Sequence, residues 1–62
     1  MSTITIDIDD QDIESTTVDV YDDVMFINQV ERGSGEKHCV LMNMTSALQL
    51  RDALNQFLRI HD

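Results

Sequence analysis

The stretch Asp7-Ile8-Asp9-Asp10-Gln11-Asp12 gathers four carboxylates in six residues and raises the question of calcium. A calcium loop of the EF-hand kind needs oxygen ligands at positions 1, 3 and 5, Gly at 6 and Glu at 12. Counted from Asp7, position 5 is Gln11, position 6 is Asp12 and position 12 is Val18. The pattern fails at three places, and the run reads as a solvated acidic turn that also discourages strand-to-strand aggregation. The soft-metal ligands are His38, Cys39 and His61. Adjacent residues of a strand project to opposite faces, so His38 and Cys39 do not share an ion readily, and structural zinc takes four ligands. No metal and no cofactor is expected.

Nucleophilic catalysis requires Cys39 or a Ser beside a His that a third group holds in place. Two His in 62 residues, with too little chain to enclose a substrate, give that chemistry no setting. Carboxylate pairs acting as acid and base need one raised pKa, hence burial, and these acids sit in polar sequence. Gly33-Ser34-Gly35 is a hairpin loop, since no phosphate-binding motif surrounds it. The expectation is a protein that is not an enzyme.

Charge says more. Residues 1–23 hold eight acids (Asp7, Asp9, Asp10, Asp12, Glu14, Asp19, Asp22, Asp23) and no Lys or Arg. Residues 24–62 hold four acids and the four bases Arg32, Lys37, Arg51 and Arg59, so the first third carries the whole net charge of −8. Such a field repels nucleic-acid phosphates and attracts basic surfaces. Direct nucleic-acid binding is therefore not expected. A single cysteine forms no intrachain disulfide and suits a reducing compartment, with Cys39 as a small, buried strand residue. The N-terminus lacks a basic n-region and an apolar run, so neither a signal peptide nor a membrane span is expected, and the location expected is cytoplasmic.

The elements that must hold these residues follow from periodicity. Residues 3–8 alternate, with Ile4, Ile6 and Ile8 on one side. Residues 17–21 and 24–30 alternate around Asp22-Asp23, a two-residue turn that sets Tyr21 opposite Val24, Val20 opposite Met25 and Val18 opposite Ile27. After the loop around Gly33 and Gly35, residues 37–42 form the last strand. Thr45 is a suitable helix N-cap, and Ala47, Leu50, Leu54, Phe57 and Leu58 make one apolar stripe on a helix over residues 45–60. With an even-numbered loop before the last strand, face A of the sheet holds Val18, Val20, Met25, Ile27, Val40 and Met42. Face B holds Asp19, Tyr21, Val24, Phe26, Asn28, Cys39 and Leu41. The fold expected is α+β: a small antiparallel sheet of three to four strands with one C-terminal α-helix packed on face A, in a single domain spanning residues 1–62.

Two functions fit. In the first, an inhibitor or regulator docks Asp7, Asp9, Asp10, Asp12, Asp19, Asp22 and Asp23 on a basic surface of a partner protein. The surface would be of the kind that holds nucleic acid, with carboxylates standing in for phosphates. In size and acidity, though in no motif, the chain is similar to phage-encoded proteins that block host defence or transcription machinery. In the second, the face the helix leaves free, with Tyr21, Val24, Phe26 and Leu41, forms the interface of a homodimer or other homo-oligomeric assembly. The two are compatible, since a dimer presents the acidic field twice.

Overall fold

The computed structural model describes residues 1–61. Strands β1 (Ser2–Thr5), β2 (Ile13–Val20), β3 (Val24–Glu31) and β4 (Lys37–Asn43) pair antiparallel in the order β1-β2-β3-β4, and helix α1 (Met44–His61) follows. The fold is α+β, a four-stranded meander with one C-terminal helix.

Turn length sets the register. The Tyr21 N–H donates to the Val24 carbonyl at 2.9 Å, so Asp22 and Asp23 are the whole connection and Val20 faces Met25. Among the described residues none other than Gly has positive φ, which excludes the type I′ turn that would need it at both central positions. Between β3 and β4 the four residues Arg32–Gly35 close the hairpin, with the Glu31 N–H on the Glu36 carbonyl at 2.9 Å. Gly33 and Gly35 have φ of +92° and +71°, conformations strained for any side chain. An even loop puts Met25 opposite Met42 and Ile27 opposite Val40. Faces A and B therefore have the membership that alternation predicts.

Strand limits differ at the acidic end. β1 stops at Thr5, not Ile8, with a last ladder bond from the Ile6 N–H to the Thr16 carbonyl at 2.9 Å. Asp7 and Ile8 continue into a loop because the next residues fold on themselves: the Asp12 N–H donates to Asp10 Oδ1 and the Ile13 N–H to the Asp10 carbonyl. β2 begins at Ile13, four residues before the clean alternation does. The Arg32 N–H donates to the Asp12 carbonyl at 2.9 Å, and the register shift between Ile13 and Ser15 takes up one extra residue. Such a bulge breaks side-chain period without ending the strand, which is why periodicity alone misses these residues.

The helix cap also lies elsewhere. Ser46 N–H donates to Asn43 Oδ1 at 3.0 Å while Asn43 N–H donates to Ser46 Oγ at 2.9 Å. This reciprocal box caps the helix with Asn43 in place of Thr45, Ser taking the part Glu or Gln usually has. Asn43 is at once the last residue of β4 and the cap of α1, so no loop residue separates strand from helix. Asn43→Ala removes the acceptor and is expected to cost about 1 kcal/mol, read as a lower urea midpoint with unchanged slope.

That junction decides the packing. Ser46, Ala47 and Leu50 are half-buried, and Ala47 shares a cleft with Val20, Met25 and Met42 of face A. Beyond them the expected seat on face A is not reached: Leu54, Phe57 and Leu58 are 49 %, 56 % and 60 % exposed. A helix that starts on the final strand residue leaves the sheet in a fixed direction, with no slack to turn back over it. The shape follows, at 33 × 31 × 16 Å with a radius of gyration of 13.1 Å, against about 10.6 Å for a compact domain of this length. Among the described residues no hydrophobic side chain is buried, and Thr16 alone is, at 6 % exposure. Cys39, expected as a buried strand residue, is exposed, because nothing covers face B above β4.

Candidate protein-docking surfaces

The acidic residues fall into three groups. Asp7, Asp9, Asp10 and Asp12 lie together in the loop between β1 and β2. The antiparallel order puts that loop at the same end of the sheet as the β3–β4 hairpin. The register adds Glu31 and Glu36, joined across the hairpin by the backbone bond already described. A concavity of about 450 Å³ opens here, with Ile6, Ile8 and Ile13 as its apolar part and Asp7, Asp9 and Asp10 among its acids. Arg32 is its one base, and its guanidinium donates to the Ile13 carbonyl at 3.3 Å.

Asp22 and Asp23 sit at the opposite end, in the β2–β3 turn. The eight residues of β2 separate them from the loop by about 26 Å. Asp19 belongs to neither group. Its Oδ1 accepts from Thr3 Oγ1 at 2.8 Å and its Oδ2 from Asn28 Nδ2 at 3.0 Å, a polar ladder across β1, β2 and β3 on face B. Both carboxylate oxygens are engaged. Asp19→Ala leaves two donors without their acceptor, and the expected loss is about 1–2 kcal/mol, measured by urea denaturation, whatever happens to binding.

The candidate anchors of face B are brought together. Tyr21 and Phe26 meet edge to face with ring centroids 5.8 Å apart, a favourable aromatic arrangement. Phe26 pairs with Leu41, which is 60 % exposed, while Val24 and Phe26 are half-buried. The ladder through Asp19 and Asn28 bounds this apolar set on the β1 side.

Among the described residues one group could hold a metal. Ligand atoms of Glu31, Glu36 and His38 all lie within 4.8 Å of one another. His38 Nε2 stands 3.7 Å from Glu31 Oε2, which also accepts from Ser34 Oγ at 3.2 Å. Three donors at an exposed hairpin end offer a divalent cation an open site, water completing the shell. Reading His38 against Cys39 and His61 missed this set. The signal was the even four-residue loop, which puts Glu36 opposite Glu31 and His38 two residues further along the same face.

Among the described residues no helix is long and apolar enough to cross a membrane. Compared with known proteins, the chain matches no family model, no curated protein and no solved structure.

Proposed function

We propose that this chain is a small non-enzymatic binding protein that docks its acidic loop end on a basic surface of a partner protein, as an inhibitor or regulator. The observation that carries the reading is the convergence of Asp7, Asp9, Asp10 and Asp12 with Glu31 and Glu36 at one end of the sheet. There Asp7, Asp9 and Asp10 line a hollow together with Ile6, Ile8 and Ile13. Clustered carboxylates steer a basic partner and speed association, and the three isoleucines add apolar area that desolvates on contact. A lysine- or arginine-lined groove that otherwise holds nucleic acid is the surface they fit, with carboxylates in the place of phosphates. On this reading Asp22 and Asp23 contribute only to the long-range field and Asp19 acts on stability. Direct nucleic-acid binding and membrane attachment have no part. The cytoplasm is the proposed location, since exposed Cys39 stays reduced there. The test is capture of partners from the source cell by the unchanged chain and by Asp9→Asn/Asp10→Asn/Asp12→Asn, each at low and raised salt. A partner held by both equally would end the proposal.

A second reading, self-association, is favoured by a separate observation: the chain buries no hydrophobic side chain among its described residues. A homodimer supplies the missing core and presents the acidic end twice. If face B is the contact, Phe26→Asp is expected to convert the assembly to monomer in light scattering.

A further inference from the structure

We infer that two copies of this chain pair by exchanging helices, the stripe of each α1 lying across face A of the other. The inference rests on the self-association reading and names its surface. Its first ground is area. The accessible surface is 5184 Å², whereas a folded monomer of 7.1 kDa has about 4,100 Å². The excess is roughly 1,100 Å² per chain, or roughly 2,200 Å² for a pair, which is the size of an obligate homodimer interface. An ordinary surface patch on a finished domain would leave no such excess.

The second ground is the junction. With Asn43 serving both β4 and α1, the helix has no loop with which to reach its own sheet beyond the first turns. A second sheet related by a two-fold axis needs no such loop. Exchange of an identical element is a low-cost route to a dimer, and the two-fold makes each contact twice.

The third ground is fit. Eighteen helical residues span about 27 Å, and an eight-residue strand spans about 26 Å. The central apolar set of face A (Val18, Val20, Met25, Ile27, Val40, Met42) and the stripe Leu50, Leu54, Phe57, Leu58 contain no charge. Two chains of net charge −8 can meet there because most of their acids lie at the loop end and the turn, while Asp19 is on face B and Asp52 is off the apolar stripe of α1. Face B does not match the helix in this way, since the Asp19 ladder crosses it.

The experiment uses the full chain in a Cys39→Ser background, which removes the exposed native thiol. One preparation carries Leu54→Cys and a second, differently tagged, carries Val40→Cys. They are mixed, exchanged through urea, refolded and treated with a short bifunctional thiol reagent, with molar mass read in parallel by light scattering. Helix exchange predicts a dimer mass and a mixed adduct joining the two tags. A dimer that gives no mixed adduct overturns helix exchange but leaves self-association standing, with loss of the dimer on Phe26→Asp assigning it to face B. A monomer mass overturns both. A chain carrying both cysteines that links to itself at high dilution shows the helix on its own sheet, and that too overturns the exchange.

Discussion

Leu54→Asp is expected to dissociate the two-chain form and, with it, the fold. Leu54 is 49 % exposed in one chain and lies mid-stripe, and in the proposed exchange the partner sheet buries it. Completing the burial of a leucine contributes about 1.5 kcal/mol or more, and a carboxylate set against aliphatic side chains adds a desolvation cost of about 2 kcal/mol. The two-fold makes each loss occur twice. Together that is about 7 kcal/mol, or on the order of 10⁵ in the dissociation constant. Because association and folding are linked, the variant loses its cooperative urea transition at concentrations where the unchanged chain keeps one, and the unchanged chain's midpoint rises with concentration. Asn55→Asp, one position along on the exposed outer side of α1, adds the same charge and is expected to change the dissociation constant by no more than about threefold. Equal effects from the two would mean that charge, and not the stripe, governs assembly.

Asp9→Asn/Asp10→Asn/Asp12→Asn is expected to weaken partner binding on the order of 100-fold at physiological salt while leaving stability nearly unchanged. The change takes the net charge from −8 to −5, all of it from the loop end. Its backbone is preserved: Asp10 Oδ1 accepts from the Asp12 N–H at 2.9 Å, and an Asn amide oxygen can accept the same bond. Each lost contact with a basic groove weakens binding by about 1 kcal/mol when it lies at the rim, so three give on the order of 100-fold. Most of this should appear as slower association that converges with the unchanged chain as salt rises, since exposed charges are screened within about 8 Å at physiological ionic strength. Asp22→Asn/Asp23→Asn, at the far end of β2, is the comparison, with an effect several times smaller. If the β1–β2 loop and the β2–β3 turn mattered equally per charge removed, a diffuse field and not a docking end would be at work.

Much of this architecture is legible in the residues. The alternation at Thr17–Val20 and Val24–Val30, with Asp22-Asp23 between them, leaves one register that keeps apolar side chains together, and the structure has it. The even β3–β4 loop settles the last strand in the same way. The role of Asp19 is not legible in the same way, because an Asp in an acidic third of the chain reads as one more surface charge. Its polar partners Thr3 and Asn28 fall on the same face only once β1 is known to pair with β2. Asn43 hid as a cap because it also ends a strand, so Thr45, which looks freer, attracted the assignment. Periodicity says which side of Leu50, Leu54 and Phe57 must be covered, and it is silent on whether the cover belongs to the same chain. Only the absence of a loop at Asn43 carries that information, and it emerges when the cap is seen.

One chain alone has a sheet, a helix and, among the described residues, no buried hydrophobic side chain, so its mass in solution is the most direct test. Light scattering across a dilution series at neutral pH is expected to give a dimer, twice the 7.1 kDa of one chain, with folding lost as the dimer dissociates. A cooperatively folded monomer that persists at every concentration would contradict this, and would mean that α1 finds its cover within its own chain.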